Sequence, residues 1–370
     1  MLAKFSVKNF KNFGETFVFD LTNTSGYEFN KQCIKNGIVR KAVIYGHNGV
    51  GKSNLGFALF DLISHLTDRH NGGPAYENYL HAGTACEHAS FEYNFIFPDG
   101  SVYYEYGKAN QETLIYERLV INGKEVASLD RRKGSIASIK MAGAETLNTE
   151  IGESKISIIS YIKNNSVLEN NKDNSCFNQF LSFVGGMLFF RSLDKNQYVG
   201  FEQGSNGIEA DIISKSNVSD FQKFLNDAGI ECKIKVVEAE KPYLAMEFGG
   251  RSVSFQSAAS QGTKSLELFY YWYQRLRGED SKVTFLFVDE FDAFYHHELS
   301  ELIIRLLREI NAQAIITTHN TSVMTNELLR PDCYFIMHKN RIRSLVDQTD
   351  KDLREAHNIE KMYRAGAFGG

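Results

Sequence analysis

The chain has 370 residues, of which 43% are apolar and 23% charged, proportions of an ordinary globular protein with room for one large domain or two modest ones. Its 41 basic and 45 acidic side chains leave a net charge of -4, which excludes a global field drawing it onto DNA or an anionic membrane. Cys33, Cys86, Cys176, Cys232 and Cys333 stand singly, without the Cys-x-x-Cys spacing of a zinc or redox site. No apolar run approaches the roughly 18 residues of a membrane span, and the first ten residues do not read as a signal peptide, so a cytoplasmic location and no membrane partner are expected.

In chain order, residues 2–10 and 16–20 predict two strands joined by a turn at Gly14. A third strand over 41–45 runs into a glycine-rich loop. Beyond it, residues 54–66 place Leu55, Leu59, Leu62, Ile63 and Leu66 on one helical face. From residue 90 the period switches to two: Phe91, Tyr93 and Phe95, a Pro98-Asp99-Gly100 turn, then Val102, Tyr104 and Tyr106, with Leu119-Val120-Ile121 and an Asn122-Gly123 turn beyond. That pattern predicts an antiparallel meander. Residues 131–219 are polar, with short apolar runs such as Met187-Leu188-Phe189-Phe190 but no dominant period, and behave like an insertion.

Order returns with a helix at 220–227, strands near 233–237 and 243–248, and a helix over 264–276. A strand at 283–288, a helix at 298–310 and a strand at 314–317 follow. Alternating strands and helices predict a largely parallel sheet covered by helices. The expected division is 1–130 for the first part of a core, 131–219 for the insertion or lid, and 220–370 for the second part. No heptad run is sustained, which argues against coiled-coil arms.

Chemistry concentrates in four places. In Gly46-His47-Asn48-Gly49-Val50-Gly51-Lys52-Ser53, glycines let consecutive N–H groups turn around phosphate oxygens, Lys52 offers a point charge, and Ser53 offers a hydroxyl to magnesium. Gly46, Asn48, Gly49, Gly51, Lys52 and Ser53 are therefore the candidate nucleotide-binding residues. In Phe285-Leu286-Phe287-Val288-Asp289-Glu290, a buried strand ends in two carboxylates: Asp289 can hold magnesium and Glu290 can polarise a water. Ala259-Ser260-Gln261-Gly262-Thr263-Lys264 opens a helix, so Ser260 and the N–H groups around Gly262 form an anion site. His319 follows Ile315-Ile316-Thr317-Thr318 at the end of a strand, from which an imidazole can reach a terminal phosphate. His296-His297 read as the start of a solvated helix rather than a metal site.

Phe10-Lys11-Asn12-Phe13, the P-loop, Ser260 to Thr263, Asp289-Glu290 and His319 together resemble the compact ABC/SMC-like ATP-binding proteins, of RecF and OLD type, found in bacterial antiphage and abortive-infection systems. The tail His357-Asn358-Ile359-Glu360-Lys361-Met362-Tyr363-Arg364-Ala365-Gly366-Ala367-Phe368 resembles the ending of that group, and read by itself is a terminal amphipathic helix with a glycine stop. The resemblance implies an α/β P-loop NTPase of ABC/SMC head type, with a mixed, mostly parallel sheet, an antiparallel meander and a mainly helical insertion. It implies ATP and Mg2+ as cofactors, Ser260 to Gly262 as the signature motif completing a partner's ATP site, His319 as the switch histidine, and Asp292 in the D-loop. Gln111 is a candidate for the glutamine loop, with nothing local to distinguish it.

The same resemblance implies a head-to-head homodimer sandwiching ATP, able to assemble further, and a separately encoded effector nuclease, with DNA or a phage protein as further candidate partners. About fifty residues follow His319, leaving no room for the Toprim nuclease of OLD proteins. A RecF-like DNA-repair head is the alternative. A transporter motor fits less well, because of the long polar insertion and the missing glutamine loop. The insertion suits a partner-binding surface and equally a disordered or merely structural segment.

Overall fold

Residues 41–45, 285–289 and 313–318 are buried at every position, as strands must be when helices or sheets cover both of their faces. The computed structural model describes residues 1–67, 76–151, 154–191, 197–200, 207–278, 280–292 and 297–368. The chain opens with β1 (Leu2–Lys8), β2 (Phe17–Asp20), the short pair β3 (Ile34–Lys35) and β4 (Ile38–Val39), and β5 (Lys41–Tyr45), followed by α1 (Lys52–Phe60) and α2 (Ile63–Leu66). A meander follows: β6 (Ala89–Phe97), β7 (Gly100–Lys108), β8 (Leu114–Ile121), β9 (Lys124–Asp130) and β10 (Ser138–Ile139). Then come α3 (Ile158–Asn165), α4 (Lys172–Gly185), β11 (Met187–Arg191), β12 (Gln197–Gly200), α5 (Ile208–Ser214) and α6 (Val218–Asp227). The remainder is β13 (Ile234–Val237), β14 (Tyr243–Phe248), β15 (Arg251–Ser254), α7 (Phe255–Ala258), α8 (Gln261–Leu276), β16 (Phe285–Asp289), α9 (His297–Glu309), β17 (Gln313–Thr318), β18 (Tyr334–Met337), β19 (Ile342–Ser344) and α10 (Ile359–Arg364).

Among the described residues, fourteen of the strands form two seven-stranded sheets. One, in the order β10-β9-β8-β7-β6-β1-β2, is antiparallel throughout. The other runs β12-β11-β16-β17-β5-β18-β19, parallel from β11 to β18 with antiparallel strands at its edges. A three-stranded sheet, β13-β14-β15, stands apart. Among the described residues no helix is long and apolar enough to cross a membrane.

Helix α1 lies between the two large sheets, which explains why Leu55 to Phe60 are buried without a polar face. On one side a Cβ at Gly56 would sit 2.6 Å from the Phe189 ring and 2.8 Å from that of Phe287. On the other, the Tyr93 hydroxyl donates to the Ala58 carbonyl at 2.9 Å. Polar residues in the central strands bond to backbone: the Gln313 amide bridges Leu2 and Val39, and Lys41 donates to the carbonyls of Ile310 and Ala312.

Two sequence expectations change. Residues 54–66 are not one helix; α1 stops and α2 restarts after Asp61, which is fully buried. Its carboxylate accepts from the Tyr79 and Tyr106 hydroxyls at 2.9 Å each and pairs with Lys108 at 2.9 Å. These partners come from remote sequence, so no local pattern announced the break. The second change concerns 131–219: Met187 to Phe190 belong to β11, paired in parallel with β16. A strand buried on both faces has no alternation to betray it, and because of it this stretch is not a self-contained insertion.

The Asp61–Lys108 pair is completely buried on both sides, and burial pulls the Lys108 ammonium down while Asp61 opposes the shift. Removing one partner strands the other. Lys108→Met is expected to cost about 3 kcal/mol in chemical unfolding, with Asp61→Asn added to it recovering part of the loss.

Candidate functional site

The strand order brings the motifs together, since β17 lies between β5 and β16 in one parallel sheet. The P-loop after β5, His319 after β17, and Asp289 and Glu290 at the end of β16 therefore emerge side by side at the carboxyl edge, where open α/β sheets place their ligands. The loop is shaped by positive φ at Gly49 (77°) and Gly51 (104°), a region open to glycine without a Cβ clash. Gly51 caps α1 and turns the first N–H groups of that helix outward.

Lys52 is the first residue of α1, with a side chain only 3% exposed. Its ammonium donates to the Gly46 carbonyl at 2.9 Å and lies 3.0 Å from His319 Nδ1 and 3.8 Å from Glu290 Oε1. His319 Nε2 is 2.6 Å from Glu290 Oε1. With the proton on Nε2, the imidazole donates to Glu290 and accepts from Lys52 through Nδ1, which satisfies all three groups. Burial lowers the Lys52 pKa, opposed by Glu290 and Asp289.

Asp289, 7% exposed, accepts from Thr317 Oγ1 at 2.8 Å. Burial raises its pKa, opposed by hydrogen bonds from Ser53 and Thr317. The Ser53 hydroxyl and the Asp289 carboxylate thus meet directly, and two hard oxygen donors side by side suit magnesium. Glu290 has a φ of 47°, a strained setting for a residue with a Cβ, held by its N–H donating to Thr317 Oγ1 at 2.8 Å. Asp292 accepts from Thr318 Oγ1 at 2.6 Å, and burial raises its pKa, opposed by that bond.

Three supporting residues had no role assigned from sequence. Asn12 donates to the Val50 carbonyl at 3.3 Å and accepts from Asn54 at 2.6 Å, and a Cβ at Gly51 would collide with its amide. It braces the loop from the β1–β2 turn, which gives Phe10-Lys11-Asn12-Phe13 a physical role. Thr317 and Thr318 orient the acidic residues, and two threonines closing an apolar strand were the readable signal. Gln111 lies in the β7–β8 turn, off the sheet that carries the P-loop.

Ser260 is not part of this cluster. It caps α8, its oxygen accepting the Thr263 N–H at 3.1 Å, and it lines a separate concavity of about 1030 Å³ with Thr263, Lys233, Met246 and Phe248. Gly262 lies in the first turn of the same helix. Asn48 and Gly49 are exposed in the loop. His297 begins α9, 2.8 Å from the Ser322 hydroxyl, while His296 lies outside the described residues.

The sheet order, with a glycine-rich loop joining β5 to α1 at the carboxyl edge, defines an α/β fold built around a P-loop. Residues 152–325 match the family described as "AAA domain, putative AbiEii toxin, Type IV TA system", a span that includes Ser260, Asp289, Glu290 and His319 but starts beyond the P-loop. Among solved structures, the SMC head domain from Thermotoga maritima is 16% identical, with a TM-score of 0.43 over 93% of this chain and 98% of that one. The Pyrococcus furiosus Smc head bound to the C-terminal domain of ScpA is 12% identical, with a TM-score of 0.46 over 93% and 96%. The recombination mediator RecF bound to ATP is 16% identical, with a TM-score of 0.41 over 93% and 99%. No curated protein sequence matches the chain significantly. The family match covers Ser260, Asp289, Glu290 and His319, and the loop that opens α1 has the geometry of a phosphate-binding turn.

The helix capped by Ser260 carries an ionisable group of its own. Glu267 on α8 is 3% exposed, accepts from Gln256 at 3.0 Å, and has its pKa pushed up to about 7 by burial. Between pH 4.5 and 7 the folded state therefore holds a proton that the unfolded chain releases, so stability falls as pH rises through this window. Glu267→Gln is expected to remove that slope, the variant gaining up to about 3 kcal/mol over the parent chain between pH 5 and 8 in parallel urea unfolding.

Proposed function

We propose that this protein binds and hydrolyses ATP as a dimeric head, and that its nucleotide state regulates a separately encoded effector. The observation that carries the reading is the arrangement of Lys52, His319 and Glu290 at the mouth of the glycine loop, within 3.8 Å of one another. The glycine-loop N–H groups and Lys52 bind the polyphosphate. Glu290 orients the attacking water and takes up its proton, while His319 fixes the Glu290 carboxylate and reads the terminal phosphate. Ser53 and Asp289 would hold magnesium, which when bound would supply charge neutralisation on the phosphates.

The dimer rests on the separation of the two half-sites. Ser260 opens onto a concavity whose lining contains no P-loop residue, so its anion site serves a phosphate held by a second copy, with Asp292 near the crossing. The effector role rests on the family description, which names a toxin of a type IV toxin–antitoxin system, and on a chain whose chemistry centres on one nucleotide site. A cytoplasmic antiphage or abortive-infection setting, with a nuclease as effector, fits that description. The alternative, a RecF-like repair head, calls for hydrolysis stimulated by DNA.

Lys52→Ala is expected to weaken nucleotide binding at least about tenfold, since a buried charge-assisted contact is lost. Glu290→Gln is expected to slow turnover by about two orders of magnitude or more and to shift the chain to a dimer in ATP. Phosphate release and light scattering with ATP and magnesium read both; unchanged turnover in both variants rules out the hydrolytic assignment. A Glu290→Gln variant that stays monomeric with ATP rules out the dimer alone.

A further inference from the structure

The tail helix α10 touches the candidate site from two sides. Glu360 Oε1 accepts from Thr321 Oγ1 at 3.1 Å and pairs with Arg364 at 2.7 Å, and Arg364 reaches Thr321 Oγ1 at 3.4 Å. Thr321 is two residues beyond His319. On the other flank, the Tyr363 ring meets the Tyr45 ring edge-on at 5.0 Å, and their hydroxyls are hydrogen-bonded, which with burial raises the Tyr363 pKa to about 12. Tyr45 immediately precedes Gly46. The turn leading into α10 is fastened too: Asn326 donates to the carbonyls of Arg354, Glu355 and His357 at 3.0 to 3.2 Å.

We propose that α10 is a clasp that positions His319, acting through Thr321, and ties it to the P-loop strand through Tyr45. The proposal rests on the ATPase reading above. The segment after His319 is a short 3-10 turn over Thr321–Val323, capped by the Asn320 side chain and leaning on His297 through Ser322. Such a turn has few backbone bonds of its own. The imidazole must keep its contacts with Glu290, Lys52 and the Gly46 carbonyl, and a small rotation of the turn breaks them. The Thr321–Glu360 bond fixes that rotation from outside, and Arg364 holds the Glu360 carboxylate in place. Ile359, fully buried, anchors the start of the helix. Thr321, Glu360, Arg364 and Tyr363 are thus positioning residues, which act on His319 and Gly46 through the turn and through Tyr45.

The test uses the full chain carrying Thr321→Val, Glu360→Ala, both together, or Glu360→Gln. Expected are a fall of about tenfold in kcat for each single substitution and a fluorescent-ATP Kd within about twofold of the parent. The double variant is no slower than the worse single one, because both remove the same bond. Glu360→Gln keeps an oxygen for Thr321 and holds most of the rate. Amide exchange over residues 317–326 is faster in Glu360→Ala than in the parent chain. A kcat within about twofold of the parent in Glu360→Ala, or losses that multiply in the double variant, overturns the clasp. If the parent chain hydrolyses no ATP, the ATPase reading fails by itself, and the exchange measurement still decides: unchanged exchange over 317–326 in Glu360→Ala overturns the clasp.

Discussion

A buried ammonium governs this architecture. The Lys52 side chain is 3% exposed, and a charge so placed is tolerated only where carbonyls, lone pairs and an opposite charge stand in for water. Gly46 supplies the carbonyl, His319 the lone pair and Glu290 the charge. Each comes from a different strand end, so compensation of one charge requires β5, β17 and β16 to lie side by side in the observed order. Under the proposed function, a polyphosphate entering the loop takes the place of Glu290 and His319 as the partner of that cation.

The packing behind the loop serves that arrangement. Helix α1 cannot shift, because the Phe189 and Phe287 rings close on Gly56 from the parallel sheet while Tyr93 holds Ala58 from the antiparallel one. At its far end, the buried Asp61 is gripped by Tyr79, Tyr106 and Lys108. A polar network of this kind fixes one register where a wholly apolar interface would allow several. The Asn12 amide pressed against Gly51 fixes the near end. The edge that carries the cluster is thus held by two ends of one helix, and the antiparallel sheet, which contributes no residue to the Lys52–His319–Glu290 cluster, determines where that helix lies.

The residues of the cluster were legible in sequence because their chemistry ties them to strand ends: glycines after 41–45, two carboxylates after Phe285 to Val288, a histidine after Ile315 to Thr318. What was not legible depended on contacts across the chain. Asn12 acts on Val50 and Asn54, and nothing adjacent to Asn12 announces either. Asp61 breaks the expected helix only because Tyr79, Tyr106 and Lys108 converge on it. Met187 to Phe190 looked irregular because a strand buried on both faces carries no alternation. The tail read as an amphipathic helix, and its contacts with Thr321 and Tyr45 arise solely from the fold.

The separation of Ser260 from the P-loop follows from the same strand order. Helix α8 packs Phe190, Leu286 and Val288 against Leu268 and Trp272, so its axis is set by the strands β11 and β16, and its N-terminus projects toward β14 and the Phe248 turn. For Ser260 to reach the phosphate loop of its own chain, the helix would have to leave that apolar seat, exposing Trp272 and Leu268 to water at several kcal/mol, at about 25 cal/mol per Å² of apolar surface. The Ser260 hydroxyl caps that helix by accepting the Thr263 N–H, so the first turn of α8 is fixed as firmly as its apolar seat. Such pre-organisation is the condition that the proposed dimer sets for Ser260, because groups whose orientation is settled by folding cost little to order on binding.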